Sequence, residues 1–160
     1  ACEVADGRAA CVPAAVSTCR AGGNVHYRTF GGKNFVFAGG CTYTLAKPCR
    51  PDPALPAFAV EATNERRGDP EVAAIVSVAV RVYGVTVEAV KAETGIVRVN
   101  NRRSHLPVSL ANGKLRLLQK GGALLLTADF GLKVSYDWDD RVVLKLPAAL
   151  ASQACGACSE

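Results

Sequence analysis

Between Ile75 and Lys91 apolar residues fall on every second position. Ile75, Val76, Val78, Val80 and Val82 lead to Tyr83-Gly84, and Val85, Val87 and Ala89 follow, with Thr86, Glu88 and Lys91 set among them. β-Branched side chains at period two suit a pleated, half-buried surface, and a reversal at glycine makes the pair a hairpin. No helix keeps one face apolar at this spacing.

The same signal recurs along the chain. Phe58–Ala62, Gly95–Asn100, Pro107–Leu110, Lys114–Leu118, Ala123–Ala128, Leu132–Tyr136 and Val142–Leu146 read as strands. Asn112-Gly113 and Gly121-Gly122 read as turns, and so do Asn64–Pro70, Asn100–Ser104 and Asp137–Arg141. His26 to Cys49 reads as three short strands. Tyr27, Phe30, Phe35, Phe37 and Tyr43 alternate through it, and Gly31-Gly32 and Gly39-Gly40 supply its turns. Cys49 to Pro56 holds three prolines and reads as a loop, and Ala1 to Cys19 is a cysteine-rich lead-in without period. Only Pro147–Ser152 invites a helix, starting at a proline as helices do. The fold class is therefore all-β: two packed antiparallel sheets, sandwich-like, with a small N-terminal lead-in (1–19), one domain (20–160) and at most one short helix.

At 160 residues and 49% apolar composition, one domain can bury a substantial core. No apolar run reaches the roughly 18 residues of a membrane-spanning helix. The chain has no Met and starts at Ala1-Cys2, so a processed protein or an excised domain is expected. Seven cysteines, five early and two at the end, favour an oxidising compartment and bridges between the ends. Secretion follows. Cys2 and Cys11 are close enough to bridge each other. The formal net charge of +5 could attract acidic glycans, with Arg66-Arg67 and Arg102-Arg103 as candidate contacts for anionic partners on loops.

Cys155-Gly156-Ala157-Cys158 could be a redox dithiol, half of a zinc site, or two cysteines that each bridge a different upstream partner. The third reading is favoured. Only Ser159 and Glu160 follow the motif, where a redox thiol needs a helix, and a second ligand pair for zinc is missing. His26 and His105 are the only histidines, and no serine elbow, paired carboxylates or phosphate loop accompanies them. The chain is not expected to be an enzyme or to hold a catalytic residue, metal or cofactor. Nucleic-acid modules are also missing. Asp137, Asp139 and Asp140 form an acidic cluster, expected to be a solvated turn.

The order Cys19, GGNVHY, TFGG, CTYTLAKPC, then FAVEATNERRGD, VAVRVYGVTVEAVK, LPVSL, TADFGLKVSYDW and CGAC resembles a von Willebrand factor type D domain over nearly the whole chain. The middle segments are most similar to D domains of mucin-associated proteins. The resemblance implies disulfides Cys19–Cys158 and Cys49–Cys155. It leaves Cys41 odd, either a buried free thiol, the simpler expectation, or a bond to another chain that would make a homodimer. Family calcium ligands would fall at Gly31 and beyond Cys158, so no calcium is expected. Relatives that self-cleave do so at Gly-Asp-Pro-His. Gly23-Asn24-Val25-His26 lacks the scissile bond, and Gly68-Asp69-Pro70-Glu71 lacks the histidine. The implied role is a secreted binding or structural module of mucus or matrix, with proteins or glycans as partners. The alternative is a stand-alone carrier holding a small apolar ligand between the sheets.

Overall fold

The computed structural model describes residues 2–5, 7–11, 15–22, 26–36, 40–50, 53, 56–67 and 69–159, and the side chains of 2–5, 8–11, 66–67 and 69–73 stand outside that description. The strands begin with β1 (Cys2–Ala5), β2 (Arg8–Cys11), β3 (Val16–Gly22), β4 (His26–Arg28), β5 (Asn34–Val36) and β6 (Thr42–Pro48). Then come β7 (Phe58–Arg67), β8 (Asp69–Val82), β9 (Val85–Val90), β10 (Ile96–Val99), β11 (Arg102–His105) and β12 (Val108–Leu110). The chain closes with β13 (Leu115–Lys120), β14 (Ala123–Ala128), β15 (Lys133–Tyr136), β16 (Val142–Pro147), helix α1 (Ala148–Ala151) and β17 (Ala154–Cys155).

Among the described residues these strands form two large antiparallel sheets and one small hairpin. One sheet runs β11-β10-β9-β8-β7-β6-β17, and the other β12-β13-β14-β15-β16-β3-β4-β5. β1 and β2 pair with each other alone. The inward positions of the two large sheets meet in one core. Val60, Val80, Val87 and Val97 come from the first sheet, and Leu117, Leu126, Val134 and Leu144 from the second. Each is followed by an outward residue, so the period-two pattern and the packing are the same fact.

Three stretches differ from the sequence expectation. The lead-in does carry strands: β1, β2, and the first part of β3, which lies inside the eight-stranded sheet. Asn64–Pro70 is not a charged turn. β7 and β8 run through it and pair as far as Arg67 opposite Asp69, so Arg66 and Arg67 are strand residues rather than loop residues. A bulge after Thr63 keeps Asn64 turned inward, opposite Ile75. Asn100–Ser104 is shorter than a five-residue turn. Asn100 and Asn101 both have positive φ, 50° and 69°, which is a two-residue turn of the type hairpins favour, and β11 starts at Arg102.

The Asp137–Arg141 turn also departs in part from expectation. Asp139 and Arg141 are solvent-exposed as expected, but Trp138 is buried and the turn joins the sheets. Asp137 Oδ1 accepts backbone N–H groups from Asp139, Asp140 and Arg141 at 2.9–3.0 Å. This knot turns Trp138 inward, where it is 2% exposed and donates its indole N–H to the Ile96 carbonyl of the opposite sheet. Asp140 accepts from the Ile75 N–H at 3.0 Å, Tyr136 donates to the Ile75 carbonyl at 2.7 Å, and the Lys91 ammonium reaches Asp139. At the other end Tyr83 hydrogen-bonds Asp129, and Phe130 packs on Phe58 and Tyr83.

Burial alone would raise the Asp137 carboxyl, but the backbone N–H donors outweigh it and hold the group below the ordinary aspartate range. A depressed carboxyl contributes stability above its unfolded-state pKa and loses it as pH falls through the folded value. Asp137→Asn is therefore expected to flatten the drop in melting temperature between about pH 5 and pH 3, compared with the native chain in parallel thermal melts.

Candidate functional site

The most distinctive chemistry gathers where the chain's tail meets β3 and β6. After α1, β17 adds to the edge of β6, with Cys155 opposite Lys47. Gly156 then turns the chain at φ 124°, and a Cβ there would sit 2.6 Å from the Leu45 carbonyl oxygen. Both facts require glycine between the two cysteines. Cys158 follows in a short 3-10 turn, and its carbonyl accepts the Phe30 N–H at 2.9 Å.

Within this arrangement Cys19 of β3 is bonded to Cys158, with Cα atoms 5.7 Å apart. Cys49, just past β6, is bonded to Cys155, with Cα atoms 5.0 Å apart. The two sulfurs of the Cys-x-x-Cys motif therefore point to different partners and do not form a dithiol with each other. The first bridge crosses from the eight-stranded sheet to the tail of the seven-stranded one. The second fastens the edge strand β17 to its neighbour. β1 and β2 bring Cys2 opposite Cys11, though the side chains of both are outside the described residues.

Cys41 is free and exposed, not buried as expected. It precedes β6 at the open end of the sheet, and its carbonyl accepts the Asn64 N–H at 3.0 Å. Beneath it lies a polar knot that the sequence reading passed over. The Tyr43 hydroxyl donates to Asn64 Oδ1 at 3.1 Å, and the Asn64 amide lies 3.3 Å from the Tyr27 hydroxyl. Tyr27 stacks on Phe35 at 4.9 Å. Burial pushes the Tyr27 phenol up to about 12 against the opposing Asn64 hydrogen bond, so it stays protonated. Asn64 continues the inward series Phe58, Val60, Ala62, and that period was the signal available for it.

The other candidate residues are scattered. Arg102 and Arg103 are exposed on edge strand β11. Arg103 lies 3.2 Å from Glu93, which Arg98 also holds at 2.5 Å. The Arg98 hydrogen bond, with help from Arg103, keeps the Glu93 carboxyl below its ordinary range. His26 lies on β4 and His105 on β11, in different sheets, both exposed. Gly31 is exposed in the β4–β5 turn. Among the described residues no three His, Cys, Asp or Glu side chains are arranged to hold a metal ion, and no helix is long and apolar enough to cross a membrane.

A cavity of about 530 Å³ opens beside Cys49, walled by Pro48, Phe58, Phe130 and Leu150, with Lys47 and Arg50. It lies at one end of the body. The space between the sheets is filled by Leu115, Leu117, Leu126, Leu144 and Leu146, all fully buried. The expectation of an apolar ligand held between the sheets finds no support in that interior.

A two-sheet body whose tail is bridged back to an N-terminal strand and to the end of a neighbouring one defines a disulfide-framed β-domain. The chain belongs to the von Willebrand factor type D domain family, whose model matches residues 19–159. It is 45% identical over 157 residues to the human (Homo sapiens) IgGFc-binding protein, covering 98% of this chain and 3% of that protein. It is 37% identical over 148 residues to alpha-tectorin of Mus musculus (92% of this chain, 7% of that protein). It is also 37% identical over 158 residues to zonadhesin of Sus scrofa (98% and 6%). The chain thus spans only a small fraction of the length of these relatives.

Two measurements follow. The Cys19–Cys158 bridge spans 139 residues. A Cys19→Ser/Cys158→Ser double variant is expected to lose about 4–5 kcal/mol in urea unfolding if chain entropy dominates. Intact-mass analysis without reduction is expected to show a monomer that takes up a single alkyl group, on Cys41.

Proposed function

We propose that this chain is an extracellular, non-catalytic module of mucus or matrix type that mediates association with other proteins. In this reading residues 1–19 form a cysteine-rich lead-in, with a Cys2–Cys11 bridge, to the D domain of 20–160. The observation that carries it is the pair of bridges closing 139 and 106 residues of chain. Such bonds persist in an oxidising, extracellular setting. They fix a rigid body and leave its outer surfaces free for contact. Membership of the family supports the same role, because its matched relatives include the IgGFc-binding protein, whose name states a protein partner.

The test uses mucus proteins freed enzymatically of their glycans. The oxidised chain is expected to bind a saturable protein partner among them, and full reduction and alkylation is expected to abolish that binding. Absence of any saturable protein partner, or binding that survives reduction unchanged, overturns the proposal.

A further inference from the structure

The eight-stranded sheet is chemically one-sided. Its strands, β3 to β5 and β12 to β16, contain six Lys or Arg residues and no Asp or Glu. The strands of the seven-stranded sheet contain five Asp or Glu residues. All six cations, Arg20, Arg28, Arg116, Lys120, Lys133 and Lys145, are exposed. None joins an ion pair among the described residues, whereas Arg81, Lys91, Arg98 and Arg103 around the other sheet all do.

The register organises these charges into rows across the sheet. One row reads Thr18, Lys145, Lys133, Thr127, Arg116, Ser109 over six adjacent strands. At about 4.8 Å per strand it is roughly 24 Å long. In the neighbouring row Arg20 faces Arg28. Two like-charged pairs therefore stand directly opposite each other, Lys133 with Lys145 and Arg20 with Arg28. Such pairs destabilise a sheet on their own, and an anion between them reverses the sign. Arg20, Lys133 and Lys145 line one shallow groove of about 300 Å³ together with Ser135.

We propose that this outer face binds a linear anionic polysaccharide, laid across the strands along the cationic row. The row's mixture of cations and flanking Thr and Ser hydroxyls matches a chain that presents both anions and hydroxyl groups. Neither row offers an outward aromatic ring, which single-stranded nucleic acid would use for stacking and a lipid surface for interfacial anchoring. The choice of partner rests on the extracellular reading above, where such polysaccharides occur. It does not rest on the protein association proposed there.

The probe is a heparin-derived decasaccharide, titrated onto the full oxidised chain in about 150 mM NaCl, where exposed charges farther apart than about 8 Å are screened. Lys133→Ser/Lys145→Ser and Arg20→Ser/Arg28→Ser are each expected to weaken binding by about tenfold or more, and added salt to weaken it further. Arg102→Ser/Arg103→Ser on the other sheet is expected to change it less than about twofold. Both face variants are expected to melt at or above the native temperature, since each removes a like-charged pair. No saturable binding by the native chain overturns the proposal, as does equal loss in the Arg102/Arg103 control. So does tighter binding to phosphatidylserine vesicles or to a thymidine oligonucleotide. Binding to deglycosylated mucus proteins does not bear on this result, so the two proposals fail separately.

Discussion

One carboxylate organises the corner that ties the two sheets to each other. Asp137 gathers three consecutive N–H groups and forces the chain into a knot whose only apolar member, Trp138, must go inward. From there the indole reaches β10, Asp140 reaches β8, and Lys91 closes over the top. Every one of these bonds crosses from the eight-stranded to the seven-stranded sheet. Face-to-face apolar packing is non-directional and would tolerate sliding. Directed bonds at this corner remove that freedom together with the Tyr83–Asp129 and Asn64–Tyr27 contacts and the Cys19–Cys158 bridge elsewhere.

The strands were legible because their inward and outward residues differ so sharply in polarity. Ile75 to Val90 and Ala123 to Ala128 are unambiguous as sequence. Legibility failed where strand residues are polar on both faces. Glu65-Arg66-Arg67 has no apolar alternation, yet it pairs because β7 and β8 form a continuous ribbon past the body of the sheet. Arg102–His105 likewise looks like a turn, because an edge strand has one row of neighbours and little to bury. The acidic cluster was read only in part, for a different reason. Charge suggests solvent, and Asp139 does face it, but the hydrogen bonds of Asp137 and Asp140 to backbone N–H groups were not legible.

The cysteines divide the same way. Resemblance to the family implies the pairings of Cys19 and Cys49, which local spacing cannot give, since both partners lie over a hundred residues away. The exposure of Cys41 was not legible, because it depends on where β6 begins relative to its neighbour. Charge shows the limit of reading pairs in sequence. Arg102-Arg103 stands out as a doublet, whereas Lys133 and Lys145, twelve positions apart, become neighbours only through the register of β15 and β16.

The bond between Cys19 and Cys158 has a mechanical corollary. Cys19 opens the family-matched span and Cys158 stands one residue before its end, and the two are joined directly. Tension on the chain before Cys19 meets only the first three residues of β3, paired with the end of β16, before it reaches sulfur and bypasses the rest of the sheets. The 138 residues between them hang off the load path as a sheltered loop. Under such load only the leading end of β3 is exposed to peeling, and the covalent staple shields the remainder.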